Sequence, residues 1–446
     1  MVGIAARNLR QNRLMLLPLP KSREAIRRIH SERKRAAVEQ ALRSPFWQKR
    51  IPRDLALDKL DDPEVWRRIP ILDKDMLRAM SDEQFYREFC ITDHDGVAEY
   101  WRSGGVTGQP LFYPRSFLDI EVGLETFART FDCAGARRGD RAHISFPMGI
   151  HPVGQIFARC AASRGITVNW AGSGTSTPSA LQLELIQRLR PTIWMGMSSY
   201  ALHLANLAEA KGIDLSKLGI QHVMCSAEPV AQAKRDKIER SWGAKLTDNF
   251  GMTEAGMMGS EWKEDEAQLG FRIWTDLHYI EVLDPKSLEP ANEGEIGTLV
   301  VTALRTNNVT PFLRWSSGDL VTYSEAEKGS GPFSVFPRIK HAHRTAGFFK
   351  IRGINLGHQD LEDFIFRTVE IGDFRAEALN EGGNDFLKLS IEVRRGCDGS
   401  AICAAMISQM KQKFELSPQI IVLETGTLAK EFEANVKAAR FVERRG

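Results

Sequence analysis

Paired cysteines are missing from this chain. Its six, Cys90, Cys133, Cys160, Cys225, Cys397 and Cys403, are scattered with no C-x-x-C pair among them. That excludes a disulfide framework and a zinc knuckle and points to a reducing, cytoplasmic setting. Long apolar runs are missing too. Nothing approaches the ~18 residues that a bilayer span needs. Leu14 to Leu17 is cut by Pro18 and Pro20, too short and wrongly flanked for a signal peptide. Charge of one sign is scarce: 60 Lys and Arg against 57 Asp and Glu leave a net +3, too mild to imply nucleic-acid binding. Arg7, Arg10, Arg13, Arg27, Arg28, Arg33, Lys34 and Arg35 form a basic stretch that reads as a solvated helix face, with a membrane or partner surface as the alternative. It lacks the interleaved aromatics of a single-strand binder. There is no internal repeat and no low-complexity tract.

What is present is an ordinary globular composition, 43% hydrophobic and 26% charged, over 446 residues, a length that calls for two or three domains. Residues 22–50 have helical composition, and Asp73 reads as the cap of a short helix after Ile69-Pro70-Ile71-Leu72. From about 117 to 250, helical patterns such as 178–189 and 230–242 alternate with short apolar runs at 142–146, 192–196 and 222–225. That alternation predicts βα units and a largely parallel sheet. From 271 to 324 the pattern turns to strands and turns, with strands at 279–284 and 297–302. After 344 a tail of about 100 residues reads strand, helix, two strands, helix, strand, enough for a small α+β domain.

Short polar motifs punctuate this framework. Trp101-Arg102-Ser103-Gly104-Gly105-Val106-Thr107-Gly108-Gln109-Pro110 is glycine-rich with two hydroxyls, a composition that lets backbone N–H groups approach phosphate oxygens. No Gly-Lys-Ser/Thr follows, so it is no Walker loop, and an ordinary turn has the same composition. Asn249-Phe250-Gly251-Met252-Thr253-Glu254 follows an expected strand end, where ligands sit in open α/β sheets. Glu254 suits magnesium and equally the first turn of a helix. Asp319, in Arg314-Trp315-Ser316-Ser317-Gly318-Asp319-Leu320, suits two ribose hydroxyls or a turn after glycine. Ser226-Ala227-Glu228-Pro229 ends another strand pattern and suits an adenine face or helix capping. Lys437 stands in Asn435-Val436-Lys437-Ala438-Ala439-Arg440.

Together, and in this order, these motifs resemble the adenylate-forming superfamily, most closely its phenylacetate–CoA ligase branch, over roughly residues 65–445. Ile69 to Asp75, Ser226 to Pro229, Ile273-Trp274-Thr275-Asp276, Tyr279-x-Glu281 and Pro311-Phe312-Leu313-Arg314 all fit that branch. The resemblance implies an α/β fold: a large N-terminal domain (1–343) of mainly parallel βα layers with a β-rich subdomain, and a small mobile α+β C-terminal domain (344–446). It implies that a carboxylate attacks the α-phosphorus of ATP with Mg²⁺ present, giving an acyl-adenylate and pyrophosphate. A thiol, usually that of coenzyme A, then displaces AMP. Carried over position by position, Ser103, Gly105, Thr107 and Gly108 match the phosphate loop, and Ser226, Ala227, Glu228, Pro229, Asn249, Phe250, Gly251 and Met252 the nucleotide surround. Thr253 and Glu254 match the catalytic pair, with Glu254 the metal ligand. Asp319 matches the ribose acid, Arg344 the junction arginine and Lys437 the adenylation lysine. The acyl pocket is expected along Phe146, Met148, Ile150, His151 and Met197, mostly apolar, a lining that fits an aromatic or other compact acid.

The match has departures. Gly104, Val106 and Gln109 stand where the family loop has serine, threonine and lysine. Ala346 stands where the junction residue is usually acidic or lysine, and Val436 replaces a glycine. Two other readings accompany the ligase: passage of the acyl group to an amine, a carrier protein or another small nucleophile, and a nucleotide-binding homologue without catalysis. The acid, the acceptor and the oligomeric state, a dimer among the options, are not encoded in these motifs.

Overall fold

The computed structural model describes residues 17–91, 94–102, 112–265, 270–325, 331–344, 347–435 and 439–445. The expected phosphate loop, Ser103, Gly105, Thr107 and Gly108, and with it Val106, Gln109, Ala346, Val436 and Lys437, lies outside the described residues. By contact, the chain forms two compact units. One comprises 1–140, 148–168 and 247–344; the other comprises 141–147, 169–246 and 345–446. Arg344 ends the first unit, and the second joins the tail to 141–147 and 169–246, a division unlike the expected 1–343 and 344–446.

The first unit is built on antiparallel strands. His278–Leu283, Ile296–Ala303, Trp315–Ser324, Arg338–Arg344, Phe271–Ile273 and Gly256–Ser260 neighbour one another in that order, and the part of Lys245–Met252 from Thr247 onward follows. Aromatic side chains from short helices, from strands and from the segment before Trp315 build its core. Phe46, Trp47, Trp66, Phe85, Phe89, Tyr113, Phe312 and Trp315 form one cluster, and a residue such as Phe89, fully buried, contributes about 1.5–3 kcal/mol. The expected cap holds: the Asp73 carboxylate accepts from Met76 N at 2.9 Å and starts helix Lys74–Arg78.

Several family-like residues turn out to be architectural. Arg314, 4% exposed and at φ +43°, donates to both oxygens of Glu281 (3.0 and 3.1 Å) and to the carbonyls of Arg67 and Ile69. It therefore binds the segment before Leu72 to the sheet. Asp276 takes a bidentate pair from Arg129 on helix Phe117–Ala134, at 2.9 and 2.8 Å. Both partners are almost fully buried, so removing either would strand an uncompensated charge.

In the second unit, strands Arg141–Ile144, Ile193–Gly196 and His222–Ser226 run parallel and in register, as the alternation predicts. Helices Ser179–Leu189, Ser198–Ala210 and Gln232–Trp242 connect or flank them. The tail adds hairpin Phe348–Ile351/Ile354–Gly357 and a four-stranded sheet ordered Gln419–Leu423, Asn384–Val393, Ile371–Glu381, Phe441–Glu443. Helix Gln232–Trp242 packs on helix His358–Phe366 of the tail, where Lys234 and Glu362 form a buried pair at 3.1 Å. The strands Ile354–Gly357 and Phe441–Glu443 and the helix Lys430–Ala434 had no sequence signal, being only three to five residues long. Among the described residues no helix is long and apolar enough to cross a membrane.

Candidate active site

The glycine-rich segment joins two paired strands. Glu99–Arg102 and Phe112–Arg115 are antiparallel, with Trp101 opposite Tyr113 and Arg102 opposite Phe112. The stem of the loop is therefore a two-stranded ribbon, and three contacts fix it. Arg159 pairs with Glu99 at 2.6 Å. Arg102 N donates to Ile150 O at 3.4 Å, which ties the segment expected to line the acyl pocket to the stem. Arg115, 1% exposed, donates to Thr306 O at 3.1 Å and to the carbonyls of Thr253 and Glu254 at 2.5 and 2.7 Å.

The last contact joins two motifs far apart in sequence. Glu254 does not open a helix, contrary to one of its two readings. Strand Lys245–Met252 reverses through Thr253, Glu254 and Ala255 into strand Gly256–Ser260, and Glu254 sits buried in that turn, 6% exposed. Its Oε1 accepts from the Tyr113 hydroxyl at 3.0 Å. Burial, together with the carboxylate alongside, pushes the Tyr113 phenol far above its usual range, so it stays protonated and donates. Gly251 is required here: a Cβ would stand 2.6 Å from Gly256 O across the hairpin. Tyr113 and Arg115 were not singled out from the sequence, because a Tyr-Pro-Arg tripeptide on an apolar strand carries no spacing signal.

Asp319 lies on strand Trp315–Ser324 and not in a simple turn. The register against Ile296–Ala303 slips between Thr298 and Val300, opposite Leu320 and Ser316, and Gly318 at φ +82° makes the bulge. The bulge re-aims Asp319, whose carboxylate, 3% exposed, is held by the Ser317 hydroxyl and by His341 Nε2 at 3.1 Å. The His341 ring stands 6.2 Å from Phe250. Asp319 is also opposite Arg344 in the strand register. The first unit thus brings together Phe250 and Asp319 through His341, another residue the sequence reading missed, with the backbone of Arg344 opposite Asp319. Asn249, 3% exposed, accepts from Ser260 Oγ at 2.7 Å.

In the second unit the expected residues lie just past the carboxyl ends of the three parallel strands. Phe146 follows Arg141–Ile144, Met197 follows Ile193–Gly196, and Ala227 to Pro229 follow His222–Ser226, the usual ligand side of such a sheet. Phe146 and Met197 are fully buried. Ala227 sits at φ +71°, a conformation that costs a non-glycine residue of order 1–3 kcal/mol and clusters at functional sites. Glu228 holds that turn: its carboxylate accepts from Ser199 N (2.9 Å), Ser199 Oγ (2.8 Å) and Ser198 Oγ (3.2 Å), at the start of helix Ser198–Ala210. Neither Ser226 nor Glu228 caps the helix that follows, Gln232–Trp242, whose cap position is Ala231 with no side-chain bond; Glu228 instead reaches back to the start of the preceding one. Met148, Ile150 and His151 belong to the first unit. His151 precedes helix Pro152–Ser163, and Ile150 is 54% exposed.

Among the described residues no three His, Cys, Asp or Glu side chains gather as a metal cage. A single carboxylate, Glu254, fits a magnesium ion that draws its other oxygens from phosphates and water.

Comparison with known proteins adds the following. Residues 114–309 match the family model described as AMP-binding enzyme. A phenylacetate-coenzyme A ligase of Thermus thermophilus is 30% identical over 382 residues, 83% of this chain and 82% of that one. A phenylacetate-coenzyme A ligase of Pseudomonas putida is 28% identical over 418 residues, 91% and 92% of the two chains. The solved 2-hydroxyisobutyryl-CoA ligase in complex with 2-HIB-AMP shares the fold, with a TM-score of 0.84 at 21% identity over 97% and 95% of the chains.

Proposed function

The chain belongs to the phenylacetate–coenzyme A ligase family of AMP-binding enzymes, and on that premise we propose how its residues divide the work. It is an AMP-forming acid–thiol ligase. In the first half-reaction a carboxylate oxygen bonds to the α-phosphorus of ATP, and the bond to the β-phosphate oxygen breaks, releasing pyrophosphate. In the second, the sulfur of coenzyme A bonds to the acyl carbon. The C–O bond to AMP breaks, and the thiol proton is lost to solvent.

Ser103, Thr107 and the backbone N–H groups of Gly105 and Gly108 hold the phosphates. Bound magnesium would supply charge neutralisation on those phosphates, with Glu254 as its protein ligand. Tyr113 and Arg115 orient Glu254, one through the carboxylate and the other through the backbone. Asp319, fixed by Ser317 and His341, accepts from the ribose hydroxyls, and Arg344 serves the same nucleotide from the next strand. The Ala227 turn and Asn249 to Met252 border the base. Lys437 supplies a cation where negative charge develops on the α-phosphoryl group. Residues 344–446 serve as the mobile C-terminal domain of the family, of which 345–446 is seated by contact on 141–147 and 169–246. Phe146 and Met197, and in the other unit Met148, Ile150 and His151, are the residues for acyl recognition, and their mostly apolar character suits an aromatic acid such as the one named in the relatives.

The single observation that supports this assignment best is the 3.0 Å bond from Tyr113, on the stem of the glycine-rich loop, to Glu254. It links two motifs 141 positions apart that phosphate and metal binding need side by side. The six cysteines, all free, agree with a reducing compartment. An ATP–pyrophosphate exchange screen over aromatic acids tests the first step. Exchange with none of them refutes the substrate class, and AMP release that ignores coenzyme A refutes the acceptor.

A further inference from the structure

Within the first unit, Arg33 and Arg305 line one cavity of about 330 Å³. Arg33 comes from helix Arg23–Ala41, and Arg305 from the segment that leaves strand Ile296–Ala303. Among the described residues neither guanidinium has an ion pair or a hydrogen-bonded partner. The acids that act on Arg305 do so from a distance: Asp276 is taken by Arg129 in its bidentate pair, and Glu32 is exposed. Burial, and next the charge of Arg33, lower the Arg305 pKa, so the two cations repel each other across the cavity.

Asn307, 5% exposed, lines the same cavity. Its Nδ2 is buried without a partner, as is Arg305 Nε. Buried donors are almost always paired, and an orphan calls for an acceptor. Among the described residues no carboxylate lines the cavity. The two other polar side chains there are already engaged. Gln40 donates to Asn308 O at 3.3 Å and accepts from Arg43 at 3.2 Å, and Asn308 Nδ2 donates to Asp119 at 2.7 Å. The remaining lining is apolar, chiefly Leu118, Val122 and Leu304. Two unpaired guanidinium groups and an orphan amide donor call for an anion, and the apolar lining calls for an anion with an apolar body. A guanidinium fork matches a planar carboxylate. The volume stands at the small end of ligand sites, about 300–1,000 Å³, so the molecule must be compact.

We propose that this cavity is a second binding site, made of residues that neither ATP nor the substrate acid uses, and that it takes a compact organic carboxylate: Arg33, Arg305 and Asn307 hold the head, and Leu118, Val122 and Leu304 cover the body. Thr306, between two of the donors, accepts from Arg115 at 3.1 Å through its carbonyl, and Arg115 holds the carbonyls of Thr253 and Glu254. A carboxylate that fixes Arg305 and Asn307 therefore braces Arg115 and the Glu254 turn. This coupling rests on Glu254 as the metal ligand; the binding site does not.

The test titrates the full chain by calorimetry with sodium octanoate, octanamide and inorganic phosphate, beside Arg305→Gln and Ala36→Trp. Ala36 is exposed and lines the cavity, so the indole fills the space without stripping a core contact. Octanoate should bind the parent at least roughly tenfold more tightly than octanamide, the scale of one charged hydrogen bond. Both variants should weaken that binding by roughly the same factor and keep the parental melting temperature. Octanamide or phosphate binding as tightly as octanoate would overturn the site. So would octanoate binding unchanged in both variants, which would place the probe in the acyl pocket. In ATP–pyrophosphate exchange at saturating acid, octanoate should lower the magnesium requirement of the parent and not of Ala36→Trp. An unchanged requirement in the parent would overturn the coupling. Parental exchange in Glu254→Gln would sink the metal assignment instead, so the two failures are distinguishable.

Discussion

Replacing Tyr113 with phenylalanine removes one oxygen atom and leaves the rest of the site in place. The ring packs against Phe85 at 6.0 Å and Phe312 at 5.4 Å, contacts that the phenylalanine ring keeps. What disappears is the 3.0 Å donation to Glu254 Oε1. A buried hydrogen bond to a charged group contributes about 1.5–3 kcal/mol. At 1.36 kcal/mol per tenfold, its loss should lower adenylation by about 10- to 100-fold if the bond serves to aim the carboxylate. Arg115 still holds the backbone of Thr253 and Glu254, so the turn survives and the melting temperature should change little. The assay is ATP–pyrophosphate exchange over a magnesium titration, with Glu254→Gln alongside. That variant keeps the shape and an acceptor but loses the charge, and should lose at least as much activity at every magnesium concentration. The Tyr113→Phe defect should shrink as magnesium rises, because a misaimed carboxylate still binds the ion, only more weakly. Parental exchange and an unchanged magnesium requirement in Tyr113→Phe would refute the link between loop stem and metal carboxylate.

Three further outcomes follow from the same geometry. Asp319→Ala should raise the KM for ATP by roughly tenfold or more, the scale of a charged hydrogen bond, with little change for the acid; a defect confined to the acid would show the strand was misassigned. Lys437→Ala should depress the first half-reaction by roughly 10²-fold, the scale of one transition-state donor, while a supplied acyl-adenylate is still consumed. Acid should destabilise the fold through His143 and His203. Burial lowers both from 6.5 to about 4, so between those values the unfolded chain binds the protons that the folded chain refuses, and stability falls as pH drops through that window, by up to ~3 kcal/mol per histidine at its lower end. Denaturant midpoints at pH 7 and pH 5 measure this. Equal midpoints would refute it, and His203→Phe should reduce the difference.

Local pattern and composition carried the element types well. The parallel strands at Arg141–Ile144, Ile193–Gly196 and His222–Ser226 and the helices between them are written in short apolar runs bounded by helical periodicity, and Asp73 announces its helix through cap chemistry. The ordered motifs likewise pointed to the family, because each needs a few specific residue types at fixed spacing. What the sequence could not convey depends on partners distant along the chain. Glu254 suits a helix start or a hairpin turn until its strand is seen to reverse onto Gly256–Ser260. Asp319 reads as a turn residue until a bulge at Gly318 puts it on His341. Tyr113 and Arg115 carry no motif at all, since a buried aromatic or arginine acquires meaning only from what it touches. Pro311 to Arg314 and Tyr279-x-Glu281 matched the family branch without a stated role, and Arg314 and Glu281 form a buried brace for the segment before Leu72. Spacing along the chain states which chemistry is available. Side-chain burial and long-range hydrogen bonds assign it, because the free energy of a buried charge is set by its tertiary partners and not by its sequence neighbours.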